Sequence, residues 1–411
     1  SHLIVFATIT GMVWGADEFS WGTVNIGGGG FVSAVIASPI ERNLFYARTD
    51  VGGAYRWVET SQSWVSMMDW VSVDERGLLG VEALAVDPVT PGKVYLMAGT
   101  VYWNQASDGI GKSAFLRSSD YGQTWEVIYT WDNATKWFSV HGNGMGRGNG
   151  ERLAIDPVNP NILFYGTRNR GLWKSVNNGK TWAKVQSFPV DTTWNGAGIA
   201  FVVFDASSKS ANATQRIYVG VLREGVNLYV SQNGGETWTP VSGRPPEQYA
   251  PRLMPQRMAL ARDGSHFYVT FGDGAGPHTQ QWDEGWGMID DWFNRGAVYK
   301  VNVNAGSYVW TDVSPQNLID PPDDGDFTKP STYYGCYSGV SIDPNDPRKV
   351  VVSSIASYRG PQFWKIGNTW KDFWGDNIFV STDGGATWAP SFRYYWLDGG
   401  QVPSAEQMDA N

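Results

Sequence analysis

Four eight-residue segments, "SSDYGQTW", "SVNNGKTW", "SQNGGETW" and "STDGGATW", share the pattern Ser-x-(Asp/Asn)-x-Gly-x-Thr-Trp. A turn repeated this faithfully constrains the fold more than any other feature of the chain. Each copy closes a larger unit. The unit opens with an apolar run ending in Asp-Pro or a close variant: "LAVDP" at 84–88, "LAIDP" at 153–157, "VVFDA" at 202–206 and "VSIDP" at 340–344. A second apolar run follows ("KVYLMAGT", "NILFYGT", "RIYVGV", "KVVVSSI"). A third leads into the repeated turn, and its Trp begins a fourth. Two degenerate copies, "SAVIASPIERNLFYART" and "MALARDGSHFYVTFGDG", bring the number of units to six. Four short strands per unit, here a to d, repeated in series specify an all-β chain, a β-propeller with Asp-box repeats.

"FSWGTVNIGG" at 19–28 resembles a strand d standing alone before the first strand a. Six units plus this orphan strand predict seven blades, the seventh incomplete, with its strands a to c expected beyond residue 411. On that reading the sequence is a fragment. In the repeated turn the acidic or amide oxygen caps turn N–H groups and Gly supplies a positive φ. Asp120, Asn177, Asn233 and Asp383 are therefore read as structural Asp-box residues.

Spacing separates the two faces of the wheel. From the strand-a Asp to the Asp-box residue it is 33 residues for Asp87 to Asp120, 21 for Asp156 to Asn177, 28 for Asp205 to Asn233 and 40 for Asp343 to Asp383. The spread falls mainly between strands b and c. Variable loops on one face of a rigid scaffold are where function concentrates. Laying the first unit on the third puts Asp50 of "ARTDVGGAYRW" opposite Asn169, in a b–c loop rather than in the Asp-box turn, whose true position in this unit is "VETSQSW".

The same face collects aromatic residues: Tyr102, Trp103, Trp131, Trp137, Trp194, Trp282, Trp286, Trp292, Tyr358, Trp364, Trp370 and Trp374. Interleaved with them are Asp108, Glu224, Asp273, Asp283, Glu284 and Asp372. Indole faces stack on the C–H faces of pyranose rings while carboxylates bond hydroxyls, so an uncharged sugar polymer fits. Charged residues make up 17% and the net charge is −9, which argues against nucleic acid and anionic membranes as partners. No metal-ligand spacing is present, and neither metal nor cofactor is expected. The single Cys336 permits no internal disulfide and is expected to be buried. The apolar run 3–14 is too short to span a bilayer; it reads as the remnant of a secretory signal over 1–16, followed by a propeller domain over 17–411. Asn133 and Asn212 head N-glycosylation sequons.

The stretches "VNIGGGGFV", "YARTDVGGAYRW", "GMGRGNGERLAIDP", "GLWKS" and "FGDGAGP", with the Asp-box turns, resemble glycoside hydrolase family 74 from about Trp21 to at least Trp388. The resemblance implies the first of two seven-bladed propellers facing each other across a cleft, and inverting hydrolysis of the β-1,4-glucan backbone of xyloglucan, a plant cell-wall polysaccharide, outside the cell. It implies a general base at Asp50 and an acid in the second propeller, so this chain carries no assigned acid. Gly52, Gly53, Tyr55, Tyr102, Trp103, Trp137, Arg147, Trp282, Trp364 and Trp370 are the expected sugar contacts. Two other readings stay open. One is a sialidase-like hydrolase using Arg48, Arg147, Arg168 and Arg170; the other is a non-catalytic Asp-box propeller that binds glycan or protein.

Overall fold

The computed structural model describes residues 28–100, 113–131, 138, 140–210, 212–244, 253–272, 274–275, 279–283, 287–291, 296–304, 307–315, 336–355, 362–366, 369–373 and 378–390. These residues form six four-stranded antiparallel sheets, each a meander in which neighbours in the sheet are neighbours in the chain, apart from two inserted hairpins. Their first strands are Val32–Ala37, Val81–Val86, Leu153–Ile155, Ile199–Lys209, Met254–Leu260 and Cys336–Ile342. The sheets are numbered blades 1 to 6 in that order.

The expected seven-bladed wheel is therefore corrected to a six-bladed one. The seventh blade was inferred from the lone segment 19–28, of which all but Gly28 lies outside the described residues, and no four-stranded sheet beyond the six forms among the described ones. A single strand-like segment is weak evidence for a blade, because a blade is stable only when both its faces are covered by neighbours.

The apolar cores lie between consecutive blades. Tyr46, Met68, Leu84, Leu96 and Leu116 fill the space between blades 1 and 2. Tyr95, Phe115, Phe138, Leu153 and Tyr165 fill the space between blades 2 and 3. Each large side chain removed from water in this way contributes roughly 1.5–3 kcal/mol. Strand b is the most buried in most blades because it is covered on both faces; Val94–Gly99 and His266–Gly272 are buried at every residue. Cys336 is buried at the start of blade 6, as expected.

The Asp-box turns are structural in detail. In all four, a Ser hydroxyl donates to the Asp or Asn oxygen at position three, at 2.7 to 3.1 Å. That oxygen accepts the N–H of the Thr at 2.8 or 2.9 Å. The hydrogen bonds from Thr124 hold Asp120 down to about 2. At Asp383 burial acts in the opposite direction, and hydrogen bonds from Thr387 and Ser381 outweigh it, so its carboxyl is also lowered. In two of the four the closing Trp stitches blades together: Trp125 donates to the Met67 carbonyl at 2.8 Å, and Trp388 to that of Val313 at 2.6 Å.

Two of the long b–c connections carry β-hairpins of their own, Thr279–Asp283 with Gly287–Asp291 in blade 5 and Gln362–Ile366 with Thr369–Phe373 in blade 6.

Candidate active site on the loop face

Strand b of blade 1 (Phe45–Thr49) delivers Asp50 to the rim opposite the Asp-box turns. The turn that follows is locked by Thr49. Its hydroxyl accepts the Gly52 N–H at 2.8 Å and donates to the Gly53 carbonyl at 2.9 Å. Gly53 sits at φ +83°, a conformation that side chains disfavour. Gly52 is glycine for a different reason: a Cβ there would come within 2.0 Å of the Gly29 carbonyl oxygen. The arm 28–31 therefore lies directly on the turn, and its Phe31 N–H donates to Asp50 Oδ1 at 2.8 Å. Tyr55 is buried beneath the arm, with its hydroxyl against Gly28.

The second wall of the site is the glycine-rich connection 142–152 between blades 2 and 3. Its glycines leave backbone carbonyls facing the wheel, and buried arginines satisfy them. Arg48, fully buried, donates to the Arg147 carbonyl at 3.0 Å and the Asn149 carbonyl at 2.7 Å. Arg168 donates to the carbonyls of Met145 and His141, the latter at 2.9 Å. Arg257 of blade 5 donates to the Gly148 carbonyl at 2.9 Å. Two carboxylates neutralise these cations. Glu151 pairs with Arg48 at 2.8 Å. Glu82 pairs with Arg152 at 3.1 Å and with Arg168, and accepts the Tyr165 hydroxyl at 2.9 Å. Burial alone would raise the Glu82 carboxyl, but Arg168 and Arg152 hold it below its ordinary value.

Held in this way, the connection aims Arg147 at Asp50. The Arg147 Nε stands 3.3 Å from Asp50 Oδ2, and its guanidinium lies over the Phe31 ring at 5.4 Å. Asp50 itself is only 6% exposed. A half-open pocket between blades 3 and 4, lined by Asp156, Phe164, Lys174 and Asn233, lies on the Asp-box face, away from Asp50.

Asp50, Gly52, Gly53, Tyr55 and Arg147 thus come together. Tyr102, Trp103 and Trp137 lie outside the described residues, as do the side chains of Trp282, Trp364 and Trp370, whose backbones belong to the two hairpins. One alignment is corrected. Thr167 of blade 3 accepts the Arg170 N–H and donates to Gly171, as Thr49 does to its own turn, and the pair Gly166–Leu172 matches Arg48–Ala54. Asp50 is therefore equivalent to Arg168, not Asn169; the strand-by-strand comparison slipped by one residue, which exchanges the two faces of a strand. The arginine staples were missed as well. The available signal was an arginine inside each of two apolar strand ends, "YARTD" and "YGTRN", beside a loop too rich in glycine to satisfy its own carbonyls.

An Asp-box propeller with a gripped carboxylate on its loop face is the class that fold and site define. Residues 379–390 match the model of the BNR/Asp-box repeat family. A xyloglucanase of Acetivibrio thermocellus is 38% identical over 90% of this chain, and the aligned part is 39% of that protein. Among solved structures, a glycoside hydrolase family 74 enzyme of Niastella koreensis aligns with a TM-score of 0.70 at 40% identity, covering 90% of this chain and 46% of the other. The family 74 xyloglucanase of Xanthomonas campestris aligns with a TM-score of 0.69 at 37% identity over the same shares. The chain belongs to glycoside hydrolase family 74, and it spans less than half the length of these relatives.

Proposed function

We propose that this propeller supplies the general base of an inverting xyloglucan hydrolase, with Asp50 as that base. The observation that carries the reading is the seating of Asp50. It is a nearly buried carboxylate fixed on one oxygen by the Phe31 N–H and flanked on the other by Arg147. It sits in a turn locked by the Thr49 hydroxyl and roofed by the arm 28–31. In an inverting glycosidase the base deprotonates a water that attacks the anomeric carbon from the face opposite the leaving oxygen. A second, protonated carboxyl roughly 6.5–9.5 Å away serves that oxygen. We assign the second carboxyl to a facing propeller of the same protein, with the polysaccharide lying between the two. Gly52, the loop aromatics and the hairpins of blades 5 and 6 would line this half of the cleft, whereas Gly53 is buried against Met68 and Leu79. Residues 1–16 would be a secretory leader, and the enzyme would act outside the cell.

The sialidase-like alternative loses support from the placement of its arginines. Arg48 and Arg168 are consumed by Glu151, Glu82 and loop carbonyls, which leaves no cluster of free guanidiniums for a sugar carboxylate among the described residues.

The test is xyloglucan hydrolysis by the protein carrying both propellers. Asp50→Ala should lower kcat by about 10²–10⁴, and the first product of the unaltered enzyme should appear as the α-anomer by proton NMR. Wild-type turnover by Asp50→Ala would remove Asp50 from the mechanism. The 411-residue chain alone should bind xyloglucan oligosaccharides without cleaving them.

A further inference from the structure

We propose that Arg147 is the positioning residue that fixes the Asp50 carboxylate for catalysis, rather than a sugar contact; this rests on the assignment of Asp50 as base. The two groups that hold Asp50 are themselves joined. Phe31 gives its N–H to Oδ1 and its ring to the Arg147 guanidinium, whose Nε stands 3.3 Å from Oδ2. The guanidinium is thus pinned from below by an aromatic face and from the side by the carboxylate. It is only 17% exposed, and its Nε has no hydrogen-bond partner in the free protein, an arrangement poised to tighten on Asp50.

The backbone that carries Arg147 is fixed from the same strand that carries Asp50. Arg48, two residues before Asp50, donates to the Arg147 carbonyl at 3.0 Å, and the Arg147 N–H donates to the Gly144 carbonyl at 3.1 Å. The circuit from Arg48 through Arg147 to Asp50 closes on itself within one turn of strand b. Any displacement of the glycine-rich connection is transmitted to the carboxylate plane, and so to the lone pair aimed at the attacking water. A misplacement of about 1 Å at such a group costs about a hundredfold in rate.

The experiment compares Arg147→Met, Arg147→Lys and Arg147→Ala in the protein carrying both propellers, with Asp50→Ala alongside. Arg147→Met keeps the aliphatic stem over Phe31 while removing the charge and the Nε–H, so folding is preserved and a matching thermal midpoint verifies it. A positioning role lowers kcat of Arg147→Met by ten- to a hundredfold with KM within twofold. Arg147→Lys recovers most of that loss, and guanidinium ion added to Arg147→Ala restores part of its turnover. A rise in KM at unchanged kcat, or wild-type kinetics in Arg147→Met, overturns the inference. Failure of the underlying assignment looks different: Asp50→Ala itself then stays active.

Discussion

The b–c turns of blades 1 and 3 are the same piece of backbone put to different uses. Both begin at a Thr whose hydroxyl spans the turn, and both end at a left-handed Gly, Gly53 at φ +83° and Gly171 at φ +73°. They differ at all three positions in between, and two of the differences carry the contrast. Where blade 1 has Asp50, blade 3 has Arg168; where blade 1 has Gly52, blade 3 has the exposed Arg170. Arg168 turns inward to Glu82 and binds the glycine-rich connection from one side. Asp50 stays at the rim and meets the same connection from the other side, through Arg147. One turn holds the loop, and the other is served by it. A repeat fold separates stability from chemistry in this way because each blade supplies the same scaffold, and only side chains at equivalent positions need differ.

The sharpest way to break this contrast is to exchange the costs. Arg168→Met should destabilise the chain by about 3–5 kcal/mol, because Glu82 keeps a buried charge with one fewer partner. Asp50→Asn, at the equivalent position, should change stability by less than about 1 kcal/mol, since the Phe31 N–H still finds an acceptor. Urea denaturation of both variants reads the difference. Equal losses would mean that the two turns are not divided between structure and chemistry.

A second expectation follows from His141, which lies beside Arg168 in the inner network. Burial, reinforced by Arg168, holds its imidazole down to about 4 against an ordinary 6.5. The folded chain therefore refuses a proton that the unfolded chain accepts. Stability is intact above pH 6.5 and falls as pH drops from 6.5 towards 4, by roughly 3 kcal/mol over the full window. Glu82, whose carboxyl is lowered from 4.5, adds its own loss below that value, while His266, also lowered from 6.5 by burial, shares the interval from 6.5 to 4.5 with His141. Urea midpoints across that interval should decline in the wild type, less steeply in His141→Asn, and stay flat only when His266 is replaced as well. A flat wild-type profile would remove the histidine from the stabilising network.

How much of this was legible in the sequence depends on the range of the interactions. The Asp-box is local: every hydrogen bond of Asp120 or Asn177 lies within four residues, so the motif alone predicted its geometry. The face on which Asp50 lies was also legible, because strand counting needs only the order of apolar runs. The number of blades was not, since it turned on a lone strand-like segment with no partner in view. Nor were the staples. Arg48 reaches Asn149 and Glu151 across about a hundred residues, and nothing in "YART" names its partner. The residue equivalent to Asp50 was legible too: 43–50 and 161–168 run in step without an insertion and Thr49 falls on Thr167, so placing Asp50 opposite Asn169 was a slip of one residue along the strand.

Gly52 sharpens the comparison at the second of the two differences that carry it. A Cβ there meets the Gly29 oxygen at 2.0 Å, so Gly52→Ala must lift the arm 28–31 and withdraw the Phe31 N–H from Asp50. Loss of one ordered hydrogen bond to the proposed base predicts a fall in xyloglucan turnover of about ten- to a hundredfold, or about 1.4–2.7 kcal/mol. Arg170→Ala, at the equivalent place in blade 3, has no arm above it and should leave stability within about 0.5 kcal/mol and turnover unchanged. If Gly52→Ala were as silent as Arg170→Ala, the arm would have no part in seating the base.

The smallest expected effect tests the part that the two turns share. Forcing a Cβ into a left-handed backbone costs roughly 1–2 kcal/mol. Gly53→Ala and Gly171→Ala should therefore destabilise by similar amounts, since φ differs by only ten degrees between them. Surroundings do not make Gly171 the worse site: its Cβ would meet Asp191 Oδ1 at 2.8 Å, the end of an exposed side chain that can swing away, whereas the Gly53 Cβ would lie 3.2 Å from the buried Met68 Cβ. Activity should separate what stability does not. Gly53→Ala strains the turn that aims Asp50 and should lower turnover several-fold, whereas Gly171→Ala strains a turn whose side chains only hold the loop and should leave turnover close to wild type. Matched losses of stability with unmatched losses of activity are the outcome expected of one backbone turn serving two purposes.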